Sequence, residues 1–313
     1  MTSTLPLIVP PAGASEALLS ALARRVCGGA PPKPFGSRGE ALAAFERHAA
    51  TGAPALVCDP QHFATALQYL GPERCLLCAD PSAPTRALDC AAPSRAGAPP
   101  RRLLVQSPLL RLYAEERLRI PPARIELIPP SVEVPTPRAD EPRTDIVVFR
   151  FAGEDRALVD SLGLARLGRI VEARHGAPDA CAALRRAALA VVACSARDAA
   201  EGWRETLQAM ACGAPLLAAR TWAVEPLVVD EAEGLLFAPG DAAEAGRLAG
   251  RLADEPDFAA RLAARAGAKV STSLTHEHHA LRLAAILAAP KDSARPLYHV
   301  IAAHSLAPSE AAQ

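Results

Sequence analysis

A chain of 313 residues is too long for one ordinary domain and fits two of about 150. Its 34 basic and 34 acidic side chains balance, which argues against a nucleic-acid partner or a polybasic membrane contact. Half of the residues are apolar but only 4% are aromatic, so Leu, Val and Ala must fill the core, and no run approaches the roughly 18 apolar residues of a membrane span.

Along the first half, short apolar runs alternate with Ala/Leu/Arg-rich stretches of helical period, the pattern of a parallel sheet covered by helices. Strands are predicted at Leu5–Pro10, Ala55–Asp59, Cys75–Asp80, Arg102–Ser107 and Ile125–Pro129, and helices at Ser15–Val26, Gly39–Ala50, His62–Leu70 and Pro108–Leu118. Ser15 and Ser107 are the expected N-caps. Asp80–Pro100, rich in Pro, Ala and Ser, reads as a long surface loop. Met1–Pro11 lacks a basic segment followed by a long apolar one, so no signal peptide is expected, and the scattered cysteines read as reduced, buried residues of a cytoplasmic protein. Cys75 and Cys78 have the CxxC spacing but lie in an apolar run with no second pair, which favours a buried strand over metal or redox use.

Pro129–Pro142 is proline-rich with little to bury and reads as an interdomain linker. The alternation then restarts, with strands expected at Asp145–Phe151, Arg169–Ala173, Ala190–Ser195, Pro215–Ala219 and Gly234–Phe237. Helices fit Asp155–Leu162, Asp179–Ala187, Glu205–Cys212, Ala242–Asp254, Asp257–Ala268 and His276–Ala289. The expectation is an α/β chain of two Rossmann-like domains, residues 1–135 and 136–290, followed by a tail of 291–313. Open parallel sheets bind ligands at the carboxyl ends of their strands, so the site is expected in a cleft between the two.

The chemistry concentrates after the strand at Ala190. A polar loop holding Glu201-Gly202 leads into a helix that Gly213 ends as its C′ residue, before Pro215 opens the next strand. The first turn of such a helix exposes N–H groups at the positive dipole end, a seat for a diphosphate. An ordinary strand–loop–helix of a Rossmann-like sheet would read the same way.

The detailed residues carry a more specific resemblance. Ser195, Glu201-Gly202-Trp203 and Leu207-Gln208-Ala209-Met210-Ala211-Cys212-Gly213-Ala214-Pro215-Leu216-Leu217-Ala218 resemble the serine-ended strand, EG(F/W) and LEAMACG-P-V-(V/L)-A hallmark of the retaining GT-B glycosyltransferases of group 1, or family 4. Downstream, Glu225-Pro226-Leu227-Val228, Gly234-Leu235-Leu236-Phe237-Ala238-Pro239-Gly240-Asp241 and Leu252-Ala253-Asp254-Glu255-Pro256 are similar to that family's later motifs. Thr275-His276-Glu277-His278-His279-Ala280 looks like the T-Y-E-H-R-A ending of the branch with spore-maturation CgeB-like proteins. Upstream, Leu103–Ser107 and Ile125–Pro130 resemble the close of the family's N-terminal domain, but its glycine-rich loop is absent, with Pro10-Pro11-Ala12-Gly13 in its place.

The resemblance implies a GT-B fold, both domains shortened, and transfer of a hexose with retention from a nucleoside-diphosphate sugar to an unidentified acceptor. The donor is a substrate; neither cofactor nor metal is expected. Glu201 matches the glutamate that faces the donor sugar, and Trp203, Arg204, Glu205, Thr206, Leu207 and Gln208 form the helix start that cradles the nucleotide. Gln208 stands where the family has a second glutamate for the ribose hydroxyls, seven positions after Glu201 rather than eight. An amide can still pair with hydroxyls as donor and acceptor. The family's phosphate-binding Arg and Lys correspond to Arg150 and Arg156 if Ile146–Phe151 is the first strand of the second domain. In another register a whole strand–helix unit is deleted. His62, after the second strand, is the candidate for the catalytic histidine of the first domain, the alternative being a surface histidine at a helix start. His276, His278 and His279 have metal-like spacing, but a solvated face of the last helix is the preferred reading.

Two further functions stay open. A degenerate relative could keep the fold as a binding or scaffolding partner of another protein, a reading that Gln208 and the shortened loop favour. A non-glycosyl enzyme such as a sugar epimerase has no specific residue in its favour.

Overall fold

The computed structural model describes residues 5–11, 14–80, 85–136, 143–149, 163–174, 177, 179–194 and 202–289. Arg150, Arg156, Glu201, the expected helix at Asp155–Leu162 and the tail from 291 lie outside them. The described chain forms two compact units, one made of the residues before Ser131 together with those from His279 onward, the other of Ser131–His278. Each carries a five-stranded, wholly parallel sheet.

In the first unit the strands β1 (Leu7–Val9), β2 (Ala55–Val57), β3 (Cys75–Ala79), β4 (Arg102–Val105) and β5 (Ile125–Leu127) lie side by side in chain order. Right-handed crossovers between successive neighbours put their helices on one face of a sheet. Accordingly Phe45, Phe63, Leu67, Leu110 and Ala114 pack on the face made by Ala55, Val57, Cys75, Leu77, Leu103 and Val105. The residues of opposite parity, Leu56, Cys58, Leu76, Cys78 and Leu104, need another cover. The helix Glu16–Arg25 supplies part of it through Ala21 and Leu22, and the helix His276–Ala288 supplies the rest through Ala280, Leu283 and Ile286. The last helix therefore serves the first unit, whereas its place in the chain had put it with the second.

Local signals explain the element ends. Ser15 accepts from Leu18 N and Ser107 from Leu110 N, as their N-cap positions require. Strand β3 is buried throughout, and its alternation sends Cys75 and Cys78 into opposite cores, so the CxxC pair cannot share a ligand. Burial pushes the Cys75 thiol up to about 12. The expected loop Asp80–Pro100 differs in part: it holds short turns at Thr85–Leu88, Asp89–Ala91 and Pro93–Ala96. Leu88 and Ala91, three apart on one turn face, enter the core, and Asp89 accepts a 2.6 Å hydrogen bond from the Tyr113 hydroxyl.

The second unit contains β6 (Asp145–Phe149), β7 (Arg169–Ala173), β8 (Ala187–Val192), β9 (Leu216–Ala219) and β10 (Leu235–Phe237), in the order β10-β9-β8-β6-β7. At its base Asp145 binds Arg169 through two hydrogen bonds of 3.0 and 2.7 Å and pairs with Arg186 at 3.5 Å. Hydrogen bonding from Arg169 holds its carboxyl below the usual range. Among the described residues no helix is long and apolar enough to cross a membrane.

Candidate functional site

The strand order of the second unit decides where a ligand can sit. From β6 the chain turns to β7 on one side, and from β8 it moves to β9 on the other, so the connections diverge at the carboxyl ends of β6 and β8. In open α/β sheets that divergence opens the binding crevice. After β8 come Ala193 and Cys194, and the described chain resumes at Gly202, immediately before the helix Trp203–Ala211.

This helix starts two residues earlier than the expected Glu205, because Gly202 takes a left-handed conformation (φ 86°) that turns the chain into it. Glycine is needed there on a second count. A Cβ would stand 2.6 Å from Cys194 Sγ, 3.2 Å from Val192 Cγ1 and 3.4 Å from Val224 Cγ2. The N-cap residue has no side chain with which to cap the first turn, and the positive end of a helix attracts anionic groups.

Of the predicted nucleotide-cradle residues, Arg204 and Glu205 are half-exposed in this first turn. The Arg204 guanidinium lies over the Trp203 ring, 4.3 Å from its centroid. Trp203 and Leu207 are buried in the core, so their side chains anchor the helix and only their backbone can reach a ligand. Thr206 is wholly buried, and its Oγ1 has no hydrogen-bond partner among the described residues. Gln208 is 9% exposed and directs its Nε2 to Cys181 Sγ at 3.6 Å.

The far end of the helix closes as its sequence predicts. Gly213 (φ 66°) donates to Met210 O at 3.1 Å and Ala214 to Ala209 O at 3.0 Å, the two bonds of a Schellman cap. The helix Pro256–Ser273 packs alongside. Burial of Leu207 and Met210 stabilises this arrangement by roughly 1.5–3 kcal/mol per side chain.

In the first unit His62 ends a short 3-10 turn, Pro60–His62, at the carboxyl end of β2. It is 8% exposed, which removes the reading as a surface histidine. Its ring meets Phe35 edge-on, with centroids 5.4 Å apart, and its Nε2 lies 3.9 Å from Asp59 Oδ2, an ion-pair distance beyond hydrogen bonding. Asp59 is held by capping Gln61 N at 3.0 Å.

The histidines at the last helix are likewise no solvated face. His276 Nδ1 lies 2.9 Å from Ser131 Oγ, His278 Nδ1 2.7 Å from Thr275 Oγ1, and His279 Nδ1 3.4 Å from Pro129 O. Lys269, too far along the chain to replace the family's phosphate-binding lysine, clamps Glu233 at 2.7 Å and Leu227 O at 2.8 Å. Sequence reasoning missed the Cys181–Gln208–Cys212 cluster, because residues distant in the chain meet there only in the fold.

Two five-stranded parallel sheets with flanking helices, the second split at a switch point, define the GT-B class of α/β fold. More particularly, residues 141–285, within which most of the second unit falls, match the family model described as glycosyl transferase-like. HepE of Anabaena, solved with UDP-glucose, superposes with a TM-score of 0.64 at 15% identity, covering 89% of this chain and 97% of that one. Sucrose-phosphate synthase of Thermosynechococcus elongatus superposes with a TM-score of 0.59 at 17% identity, covering 87% and 82%. TarM of S. aureus, solved with alpha-GlcNAc-glycerol and UDP, gives a TM-score of 0.59 at 11% identity over 80% of this chain, which spans only 58% of TarM. At such identities the likeness is one of fold. No curated protein matches the sequence.

Proposed function

We propose that this protein is a glycosyltransferase that moves a hexose from a nucleoside-diphosphate sugar to an acceptor, with retention at the sugar carbon. The observation that carries the reading is the Gly202-started helix at the switch point of a unit matching the glycosyl transferase-like family. Its first turn would receive the diphosphate, with Arg204 adding positive charge as the leaving group departs. HepE and TarM were solved with UDP, which makes UDP-sugars the donors to test first. Glu201 would face the sugar, Arg150 and Arg156 would neutralise phosphate, and His62, with Asp59 3.9 Å away, would serve the acceptor side. Eight free thiols favour a reducing, cytoplasmic setting.

Isothermal titration with UDP, GDP, ADP and their sugars, followed by an assay of nucleotide release, tests the proposal. Saturable binding of one series, with release that Glu201→Gln slows while leaving nucleotide affinity intact, is the expected result. A flat titration across all three series would end it.

One observation favours a second reading, a degenerate partner protein: the Gln208 amide is engaged with Cys181. Under that reading nucleotides bind without turnover and Gln208→Glu restores activity.

A further inference from the structure

The carboxyl end of the helix Trp203–Ala211 carries a pair of thiols to which the transfer reaction assigns no role. Cys212, its C-cap residue, has its Sγ 3.6 Å from the Sγ of Cys181 on the helix Ala180–Arg185. Gln208, one turn before Cys212 on the same helix face, points its Nε2 to the same Cys181 sulfur at 3.6 Å. Two donors thus converge on one sulfur, which is half-buried, while the Cys212 sulfur is buried.

The electrostatics of the pair are asymmetric. Hydrogen bonds from Cys212 and Gln208, helped by Arg185, outweigh burial and the nearby Glu133 and bring the Cys181 thiol down to about 6. The same contact, with burial, pushes Cys212 up and keeps its proton on. Cys181, the more exposed of the two sulfurs, is therefore the one that gives up its proton more readily, with the Cys212 thiol in contact with it. The strand thiols differ: Cys58 and Cys75 are pushed up, Cys75 to about 12, and stay protonated. A disulfide needs sulfurs about 2.05 Å apart, so rotation of the two side chains has about 1.5 Å to close.

We propose that Cys181 and Cys212 form a peroxide-reactive dithiol, a modification site at the base of the helix whose other end faces the candidate nucleotide site. The Cys181 thiolate attacks one oxygen of a hydroperoxide; the O–O bond breaks, Cys181 becomes a sulfenic acid, and the second oxygen leaves as hydroxide or alkoxide, which takes up a proton. The Cys212 sulfur then attacks the sulfenic sulfur. The S–S bond forms, and the sulfenic hydroxyl leaves as water with the Cys212 proton. For hydrogen peroxide the sum is two thiols and one peroxide giving one disulfide and two waters. The disulfide ties the helix Trp203–Ala211 to the helix Ala180–Arg185 and removes the anionic acceptor from Gln208.

The test uses the whole wild-type chain without nucleotide, so its failure leaves the proposed function untouched. The protein is treated with stoichiometric hydrogen peroxide at neutral pH, quenched by alkylation and mapped by non-reducing peptide mass spectrometry. The expected product is a peptide pair joined through Cys181 and Cys212, lighter by two hydrogens and restored by dithiothreitol, with Cys58, Cys75 and Cys78 recovered as thiols. In Cys212→Ser the reaction stops at a sulfenic acid on Cys181 that dimedone captures, and in Cys181→Ser Cys212 stays reduced. Recovery of both residues as thiols while another cysteine is oxidised, or a Cys181 disulfide to any other partner, overturns the proposal.

Discussion

Gly202 lies so close to Cys194 that a Cβ on it would stand 2.6 Å from the thiol sulfur. The glycine of the family's EG(F/W) motif is thus fixed twice in this chain, by its φ of 86° and by contact with the end of the preceding strand segment. Gly202→Ala is expected to cost roughly 2–4 kcal/mol, the sum of a left-handed alanine and an overpacked contact. Chemical denaturation measures it, and a cycle with Cys194→Ala divides it. The steric share should shrink in the Cys194→Ala background, where the contact to Val192 at 3.2 Å remains, and the conformational share should stay. An equal cost in both backgrounds would show that the contact is not the cause.

Thr206 gives the opposite sign. Its hydroxyl is completely buried and its Oγ1 finds no partner among the described residues, a group that folding desolvates for no return. Thr206→Val keeps shape and branching, and should raise stability by about 1–2 kcal/mol. For a chain of this size that is a rise in Tm of a few degrees. A lower Tm, read by calorimetry, would mean that the hydroxyl is satisfied in solution.

How far the sequence reached follows from the range of each signal. The Ser15 and Ser107 caps, the glycine stop at Gly213 and the ten strands depend on residues close in the chain, and all are found. The faces of the first sheet were beyond it. Leu283 and Ile286 follow the second unit in sequence, yet they cover Leu76 and Leu104, because a sheet wound in one direction leaves a bare face. Leu88 and Ala91 were unreadable as core, since turns of three or four residues are too short to show a period. Gln208 could be placed on the right helix by its motif, but not aimed: its direction depends on Cys181, 27 positions earlier.

Acid should weaken the second unit through His276. Burial lowers the imidazole from its ordinary 6.5 to about 4, with Nδ1 held 2.9 Å from Ser131 Oγ. Between those values the unfolded chain binds the proton and the folded one does not, so stability is complete above pH 6.5 and falls as the pH drops toward 4. The loss amounts to roughly 3 kcal/mol at most. Urea midpoints at pH 7 and 4.5 check this against His276→Asn, which lacks the titrating ring and should show a smaller drop. Equal drops in both proteins would remove His276 as the source.

Arg204 is the cation that the described structure places in the first turn of the helix at the switch point, half-exposed and resting on Trp203. If a nucleoside diphosphate sits on that turn, Arg204→Ala removes a charge-assisted hydrogen bond to phosphate. UDP affinity should then fall about tenfold or more, a loss of at least about 1.4 kcal/mol. Its stacking on the Trp203 ring contributes about 0.5–1 kcal/mol to the fold, so the Tm of Arg204→Ala is read alongside the affinity. Arg220 provides the comparison. It follows β9 at the same edge of the sheet but is engaged by Asp230 and, at 3.7 Å, by Glu225. Arg220→Ala should therefore lower Tm without a matching loss of UDP affinity. Titration calorimetry on both variants separates the roles: unchanged affinity in Arg204→Ala with a tenfold loss in Arg220→Ala would move the phosphate site from the helix start to the end of β9.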